Sequence, residues 1–224
     1  MTQEQILVIK HGALGDIIIA TAGFAAIRAH HPHAQITLLT TKAYAPLLAQ
    51  SPYFDEIWVD SKPKLFDRKA IGRLRHMLNS QRWAWVYDLQ TSKRSTLYPW
   101  LLARPWPRIS NVSRFASHGY TDPARHRRHA LDNLQRQLAI ASIEVTMPDI
   151  SWLQDDTLCH SLTFPHAPFA LLVPGGAAHR PEKRWPAEQY AALAQELAGR
   201  HIRPVLIGTE AEQAALDSIA ARVP

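Results

Sequence analysis

The sequence predicts an α/β protein built from two Rossmann-like parts, the first with a doubly wound parallel sheet. Short apolar runs of strand length alternate with segments of helical apolar spacing, and this alternation is typical of parallel sheets covered by helices. The same opening, a strand that breaks into a glycine loop before a helix, occurs at His11–Asp16 and again at Val173–Gly176. Only two β-α units accompany the second opening, so we expect the C-terminal part to be incomplete.

The strands and helices of the first part alternate in regular order. Pro32 ends the first helix and Pro52 follows the second, because proline cannot continue a helix. The third helix is basic and has its apolar residues on one face. Strands are predicted at Ile6–Lys10, Gln35–Thr40, Glu56–Val59 and Trp85–Leu89, with a short fifth beginning at Arg108–Ile109. Helices are predicted at Ile17–Ala29, Tyr44–Gln50, Phe66–Asn79, Ser95–Leu102 and Leu131–Ala141.

A proline-containing stretch separates the two parts. Residues 144–168 contain Pro148, Pro165 and Pro168, which is typical of a linker between domains. We therefore predict an N-terminal domain over 1–150, a linker over 151–167 and a second domain over 168–224. The second domain is expected to contain strand Phe169–Val173, helix Ala187–Gly199, strand Ile202–Ile207 and helix Glu210–Arg222.

Composition excludes several classes of protein. Of the 224 residues, 46% are hydrophobic and 20% charged, an ordinary globular balance. No apolar run approaches the roughly 18 residues of a membrane-spanning helix, and no cationic leader precedes the first apolar run, so no secretory signal is predicted. The single cysteine, Cys159, cannot form an internal disulfide, and no Cys/His cluster has zinc-site spacing. These features favour a cytoplasmic protein.

The charge of the chain favours an anionic partner. The formal net charge is +6, which suits nucleic acid, anionic lipid head groups or phosphorylated small molecules. Between Arg104 and His129 there are six arginines and one acid, Asp122. This segment is either a solvated loop or a surface that faces an anion. Trp100 and Trp106 flank its start; core packing is expected for both, with contact to a lipid surface as the alternative.

Asp16 is the first candidate for chemistry. It follows Gly15 at the start of a predicted helix, where a carboxylate stabilises the helix N-terminus by about 0.5–2 kcal/mol. The neighbouring Gly12 and Gly15 would let a substrate approach the backbone closely. A carboxylate in that position can accept a proton from an attacking sugar hydroxyl, so Asp16 is either a helix cap or a general base.

The second glycine loop carries a cation instead of a carboxylate. Gly175 and Gly176 open a loop that reaches Lys183 and Arg184, and Pro186 suits the first turn of the following helix. A lysine there would stabilise the negative charge of a departing diphosphate. The alternative is a tight turn followed by a surface lysine.

Polar residues follow two further strands. Glu210 and Glu212 come after a strand, where an acid can accept hydrogen bonds from ribose hydroxyls, or can stabilise a helix N-terminus. Gln90, Lys93 and Arg94 follow the fourth strand at its carboxyl end, the edge at which open α/β sheets bind ligands. Surface solvation explains these three equally well.

Three motifs together resemble a known family. They are Lys10-x-Gly12-x-Leu14-Gly15-Asp16, then Asp88-Leu89-Gln90, then Pro174-Gly175 through Lys183-Arg184-Trp185-Pro186. In order and separation, over essentially the whole chain, they resemble the heptosyltransferases of glycosyltransferase family 9. The resemblance implies a GT-B fold and inverting transfer of a heptose from ADP-heptose to the inner core of lipopolysaccharide. It implies no metal and no other cofactor.

The resemblance also assigns roles to residues. It makes Asp16 the general base, Lys183 the diphosphate contact and Glu212 the ribose contact. The donor is expected to contact Gly175, Gly176, Lys183, Arg184 and Glu212, and the acceptor Gly12, Gly15, Gln90, Lys93 and Arg94. The basic N-terminal surface would face a phosphorylated, Kdo-bearing lipid A acceptor at the inner face of the inner membrane, which makes the protein peripheral there.

Two alternatives stay open. Family members continue to an Asp-Thr-Gly-x-x-His segment that helps hold the nucleotide, and this sequence has none. A fragment, a truncated inactive member or a nucleotide-binding module without catalysis is therefore one alternative. A basic nucleic-acid-binding protein is the other, although no helix-turn-helix, RRM or OB pattern occurs and no nucleic-acid partner is expected.

Overall fold

The computed structural model describes residues 3–64, 66–147, 150–154, 168–176 and 184–223. The chain divides into two compact units, Met1–Gln154 and Asp155–Pro224. Both units combine parallel strands with helices, as the sequence predicts. Within the described residues, no helix combines the length and apolar character that a bilayer crossing requires.

The first unit is built on a parallel sheet of six strands. In chain order they are β1 (Gln5–Ile9), β2 (Gln35–Thr40), β3 (Glu56–Val59), β4 (Trp85–Asp88), β5 (Arg108–Asn111) and β6 (His118–Gly119). The spatial order is β3-β2-β1-β4-β5-β6, with every neighbouring pair parallel. The two-residue β6 was not predicted, because two residues are too short for any periodic signal.

The helices of this unit are α1 (Leu14–His30), α2 (Ala45–Leu48), α3 (Arg68–Leu78) and α4 (Ala130–Ala139). Alternate residues of each central strand face opposite layers. Ile6 and Val8 join the core that α1 and α4 cover, whereas Leu7 and Ile9 join the core on the α3 side. The doubly wound architecture is thus confirmed.

Two predicted helices differ from expectation at their starts or in type. Helix α1 begins at Leu14, three residues before the predicted start, so Asp16 lies inside its first turn. The predicted helix at Ser95–Leu102 is a 3-10 helix over Ser95–Leu101, with Pro99 inside it. Pro99 has no N–H to donate to an α-helical ladder, which explains the tighter form. A second 3-10 helix, Pro123–Arg127, lies in the basic segment.

The described part of the second unit contains two parallel strands, β7 (Phe169–Leu172) and β8 (Arg203–Leu206). Helix α5 (Ala187–Gly199) connects them, and α6 (Gln213–Ala220) follows β8. The predicted last helix starts instead with a 3-10 turn at Glu210–Glu212. That turn places Glu212 beside the loop after β7, as described below.

Candidate active site

The sheet order places a cleft in the first unit at the point where the winding reverses. Strands β1 and β4 are neighbours, and the chain leaves them toward opposite sides of the sheet, which is where open α/β sheets bind ligands. A cleft of about 180 Å³ lies there. Its polar lining residues are Lys10, Asp16, Gln90, Thr91, Tyr120, Arg125, Asn133 and Gln137.

Lys10 is the first residue after β1 and is buried at this cleft. Its Nζ donates a hydrogen bond to the backbone oxygen of Leu89 at 3.1 Å. Burial lowers the pKa of Lys10, while the carboxylates of Asp16 and Asp88 raise it, and burial prevails. The cleft is therefore built over a lysine that is held in place by the end of β4.

The glycine loop after β1 is anchored from two directions. The backbone N–H of His11 donates to Oε1 of Gln90 at 2.8 Å. The ring nitrogen Nε2 of His11 lies 3.1 Å from Oδ2 of Asp60. Asp60 also accepts from the hydroxyl of Tyr98 and from the N–H of Lys62. Burial raises the pKa of Asp60, but the contacts with His11, Tyr98 and Lys62 outweigh it and hold that pKa below its ordinary value.

The two glycines of this loop differ in whether the fold requires a glycine at their position. Gly12 has φ +131°, and a Cβ there would lie 2.5 Å from Cε2 of Tyr44, so both backbone and packing require glycine. A Cβ at Gly15 would meet no atom within 4 Å. Since nothing within the described fold requires a glycine at position 15, the open space beside it is available to a ligand.

Asp16 lies in the first turn of α1 and is exposed. Its Oδ2 accepts a hydrogen bond from the N–H of Ala13 at 3.3 Å, which is the expected capping contact. Oδ1 of Asp16 accepts no hydrogen bond from the residues that the structure describes. The carboxylate thus stabilises the helix with one oxygen and presents the other at the rim of the cleft, so the capping role and the chemical role are compatible.

Asp88 ends β4 beneath the cleft and is fully buried. Its Oδ1 accepts from the N–H groups of Gln90 and Thr91 at 3.0 and 3.2 Å. Burial raises the pKa of Asp88 to about 6, against the lowering effect of the Ser95 hydroxyl and those two N–H groups. Thr91 has φ +51°, an unusual conformation for a β-branched residue, and it lines the cleft.

Helix α4 supplies two amides to this cleft that sequence reasoning missed. Nε2 of Gln137 donates to the backbone oxygens of Asp88 and Ser110 at 3.0 and 3.3 Å. Asn133 accepts from the hydroxyl of Tyr120 at 2.9 Å. The available signal was two amides four residues apart beside the apolar residues of α4, which places them on the face toward the sheet.

The arginines of the basic segment are divided by the structure. Arg125 lines the cleft, and its guanidinium has no ion-pair partner among the described residues. Arg128 lies 3.0 Å from Asp122 and 3.8 Å from Asp132, and Arg127 is exposed. Of these three arginines, Arg125 is therefore the one that lines the cleft without an ion pair to any described residue.

Of the predicted acceptor residues after β4, one lines the cleft and two do not. Gln90 lines the cleft, whereas Lys93 is exposed and outside its lining. The guanidinium of Arg94 donates to the hydroxyl of Tyr98 at 3.0 Å and to the backbone oxygen of Pro63. Arg94 thus ties two loops of the fold together. An acceptor role for Lys93 or Arg94 stays a prediction.

The loop after β7 forms a second cleft, of about 300 Å³, within the second unit. Glu212 lines it together with Pro174, Arg184 and Trp185. A Cβ at Gly175 would lie 3.1 Å from Cδ and Cγ of Glu212, so glycine lets the acid pack against the loop.

Polar groups of this second cleft are held by local contacts. Oε2 of Glu212 accepts from the N–H of Thr209 at 2.9 Å and from its hydroxyl. These bonds, together with Arg184, lower the pKa of Glu212. Arg184 donates to the backbone oxygen of Gly176 at 3.1 and 2.6 Å. Lys183, the predicted diphosphate contact, lies outside the described residues. Its role stays a prediction.

Comparison of the sequence with profiles of protein families identifies the family of this chain. The profile of glycosyltransferase family 9 (heptosyltransferase) matches residues 71–224. The chain belongs to this family. The resemblance inferred from the sequence motifs is thereby confirmed. Membership of this family supports the prediction that the protein is a glycosyltransferase.

Individual relatives agree with this family assignment. Lipopolysaccharide heptosyltransferase 2 of Salmonella typhimurium is 25% identical, over 97% of this chain and 67% of its own length. The family 9 structure from Veillonella parvula has a TM-score of 0.71 at 22% identity, over 98% of this chain and 66% of that one. E. coli heptosyltransferase WaaC, solved with ADP, has a TM-score of 0.69 at 16% identity, over 97% and 72%.

These structural similarities establish the fold of this chain, which is of the GT-B type. The chain spans about two thirds to three quarters of the length of these three relatives. Across the described part of the chain, no group of three or more His, Cys, Asp or Glu side chains is placed to hold a metal ion.

Proposed function

We propose that this family 9 protein transfers a heptose from ADP-heptose, or from a related nucleotide sugar, to the inner core of lipopolysaccharide. The observation that carries the proposal is the exposed carboxylate of Asp16 at the rim of a cleft that also contains Lys10 and Arg125. A proton acceptor beside two cations suits an acceptor that offers a hydroxyl and also carries negative charge.

Asp16 would act as the general base of the transfer. As the acceptor oxygen bonds to the anomeric carbon, its proton passes to the carboxylate of Asp16, and the bond between the anomeric carbon and the ADP oxygen breaks. ADP leaves with the electron pair of that bond. Attack from the face opposite the leaving group inverts the anomeric centre. The free Oδ1 of Asp16 is the oxygen that would take the proton.

The second cleft would hold the donor nucleotide. Glu212 has one oxygen engaged with Thr209, and the other would accept hydrogen bonds from ribose hydroxyls. Arg184 and Lys183 would offset the charge of the diphosphate, which increases as the glycosidic bond breaks. The structure of E. coli heptosyltransferase WaaC was solved with ADP, which supports a nucleotide donor for this chain as well.

The acceptor would be a Kdo-bearing lipid A, bound through the first cleft. Its carboxylate and phosphate groups are opposite in charge to Arg125 and Lys10, which would attract them. The amide of Gln90 would form hydrogen bonds with sugar hydroxyls. Since the acceptor is a lipid, we propose that the protein acts at the anionic cytoplasmic surface of the inner membrane.

The test is a two-substrate assay of the purified full-length protein. ADP-heptose and Kdo-lipid A are incubated together, with ADP release followed by a coupled reaction and the lipid product weighed by mass spectrometry. A mass increase of one heptose supports the proposal. Calorimetric binding of ADP without any product from Kdo-lipid A or heptosylated core would instead support a nucleotide-binding module.

A further inference from the structure

The positive charge of the chain is concentrated in one stretch of the first unit. Residues 61–121 contain twelve Lys or Arg and two Asp, so this stretch carries +10 and the rest of the chain −4, against +6 overall. One of the two acids, Asp88, is buried. The other, Asp67, caps α3 by accepting from the N–H of Ala70 at 2.9 Å. The excess of positive charge is therefore largely uncompensated.

Helix α3 presents much of that charge to solvent. Its buried residues Ala70, Leu74 and Leu78 face the sheet, while Lys69, Arg73 and Arg75 are exposed on the outside. No ion pair joins these three to any acid in the described part of the chain. Lys69 and Arg73, one turn apart, lie on one flank of the exposed side of α3 and Arg75 lies on the other. The exposed side of α3 thus carries three cations that have no ion pair among the described residues.

An exposed aromatic cluster lies in the same layer. In the 3-10 helix Ser95–Leu101, Leu97 is 48% and Trp100 57% exposed, and residues three apart eclipse one another in this helix type. The ring centroid of Phe115, which is 63% exposed, lies 6.4 Å from that of Trp100. Core packing, the prediction for Trp100, is therefore wrong. It holds in part for Trp106, which packs against the core.

Arginines cover faces of this cluster. The guanidinium carbon of Arg104 lies 5.0 Å from the ring centroid of Trp106, and that of Arg114 lies 4.8 Å from the centroid of Phe115. These cation–π contacts hold positive charge directly beside the apolar side chains. They also occupy ring faces on which a nucleic-acid base would otherwise stack.

Hydrogen bonds join the cationic helix to the aromatic cluster. Asn79, which caps the end of α3, donates to the backbone oxygen of Leu101 at 2.9 Å and accepts from the N–H of Ala103 at 2.6 Å. Arg82 donates to the backbone oxygen of Arg104 at 3.2 Å. The outer face of α3 and the exposed cluster are therefore parts of one rigid layer.

We propose that this layer docks on an anionic lipid bilayer. We call it the docking face and define it by Lys69, Arg73, Arg75, Arg104 and Arg114 with Leu97, Trp100 and Phe115. The cations would be attracted to lipid phosphates over the range allowed by screening, roughly 8 Å at physiological ionic strength. Leu97, Trp100 and Phe115 would enter the interfacial region, where amphipathic aromatic side chains are favoured.

The docking face rests on the proposed function only for the choice of partner, because a lipid-linked acceptor has to be reached at a membrane. Of the six arginines between Arg104 and His129, the docking face includes Arg104 and Arg114 but not the group at 125–128. Of that group, Arg125 lines the cleft and Arg128 is ion-paired. The proposed lipid contact therefore centres on α3 and the 3-10 helix Ser95–Leu101.

The test is flotation of the full-length protein with phosphatidylcholine vesicles, with and without phosphatidylglycerol. The Arg73→Ser/Arg75→Ser variant should partition onto anionic vesicles about 30-fold more weakly at low salt, and high salt should remove the difference. The matched control is Arg200→Ser/Arg203→Ser, which loses the same charge from the second unit and should bind like wild type. Equal loss in both pairs would overturn the docking face.

The apolar contacts are tested separately. Vesicles with brominated acyl chains should quench the tryptophan fluorescence of wild type, and Trp100→Phe should lose much of that quenching while still floating. The control Ile140→Ser changes an exposed apolar residue after α4 and should keep the quenching. Wild-type quenching in Trp100→Phe would overturn insertion at this cluster.

Further outcomes separate this proposal from others. Tighter binding of single-stranded RNA than of anionic vesicles, lost in Arg73→Ser/Arg75→Ser, would overturn the lipid assignment. So would a dimer in light scattering that Trp100→Ser converts to monomer. Transfer to a water-soluble Kdo acceptor without a lipid tail should be unchanged in the docking variants. Absence of that transfer in wild type contradicts the proposed function and leaves the vesicle result to decide the docking face.

Discussion

The side chain of Lys10 donates a hydrogen bond from Nζ to the backbone oxygen of Leu89 at 3.1 Å, which fastens the end of β1 to the end of β4. This bond lies at the point where the sheet order reverses, and the carboxylates of Asp16 and Asp88 both raise the pKa of Lys10 against the effect of burial. A buried lysine therefore lies within electrostatic reach of one exposed acid, Asp16, and one buried acid, Asp88. The predictions below test what each group around it does.

Asp16→Asn should lower the turnover number by roughly 10²–10⁴-fold, because an amide cannot accept the proton of the attacking hydroxyl. Asparagine keeps an oxygen that can accept from the N–H of Ala13, so the helix start should survive. Folding is checked by circular dichroism and ADP binding by calorimetry, and both should match wild type. Asp16→Ala, which also removes the cap, should lose stability in addition. Near-wild-type turnover in Asp16→Asn would remove Asp16 from the mechanism.

Gly15→Ala should leave the protein folded and reduce transfer. A Cβ at this helical position meets no atom within 4 Å, and alanine favours a helix over glycine by up to about 1 kcal/mol. A urea titration should therefore show equal or higher stability. If the acceptor occupies the open space, its KM should rise, and an unchanged KM would show that no ligand approaches there.

Gly12→Ala should behave in the opposite way and lose stability by about 1–3 kcal/mol. The backbone has φ +131° and the added Cβ would lie 2.5 Å from the ring of Tyr44. Truncation of the ring in Gly12→Ala/Tyr44→Ala removes the clash but not the backbone strain, so part of the loss should remain. Full recovery of the urea midpoint relative to Tyr44→Ala would mean that packing alone requires this glycine.

Much of the fold followed from periodicity in the sequence. The alternation of apolar runs predicted five of the six strands of the first unit and the strand–loop–helix openings at both glycine loops. Helix starts were less predictable, because Leu14 joins α1 through backbone geometry and not through an apolar pattern. Trp100 was misassigned to the core, since an apolar residue carries no sequence signal of which side of a 3-10 helix it will occupy.

The candidate site was predictable only in its motif residues. Gly12 and Asp16 stand in a recognisable loop, and Gln90 follows a strand at the expected edge. Gln137 and Asn133 come from a helix some fifty residues later, and no spacing rule connects them to β4. The roles of Arg125 and Arg128 depend on which of them meets Asp122 and Asp132, a matter of three-dimensional pairing that composition cannot reveal.

Arg125→Gln should raise the KM for a Kdo-lipid A acceptor and leave ADP affinity unchanged. Its guanidinium lines the first cleft, so it would contact an anionic acceptor and not the donor nucleotide. Arg127→Gln is the matched control, since this exposed residue is two positions away and outside the cleft lining. Equal KM values for the two variants would return Arg125 to the status of a surface residue.

Lys183→Ala should weaken ADP binding and should slow transfer by a larger factor than it weakens binding. Negative charge on the diphosphate grows as the glycosidic bond breaks, so a cation helps the transition state more than the ground state. Calorimetry with ADP and single-turnover kinetics measure the two factors. Lys42→Ala, which changes an exposed lysine of the first unit outside the linings of both clefts, is the control. Unchanged affinity and rate in Lys183→Ala would remove this lysine from the donor site.

Asp88→Asn should stabilise the protein above pH 6 and remove a component of its pH dependence. Burial raises the pKa of Asp88 to about 6, whereas an unfolded chain has a pKa of about 3.9. Between these values the native state binds more protons than the unfolded state, so the free energy of unfolding of wild type falls as pH rises through this window. The loss is complete above the native pKa and amounts to roughly 3 kcal/mol, since each pKa unit corresponds to about 1.4 kcal/mol.

Asparagine keeps the oxygen that accepts from the N–H groups of Gln90 and Thr91, but it has no proton to lose in this range. The stability of Asp88→Asn relative to wild type should therefore increase from pH 4 to pH 7 and then stay constant. Urea unfolding of both proteins at closely spaced pH values measures this difference. Asp60 and His31, whose pKa values are also shifted, are common to both proteins and cancel. A difference that does not change with pH would show that Asp88 stays ionised in the native protein throughout, and its burial would then need a compensating cation such as Lys10.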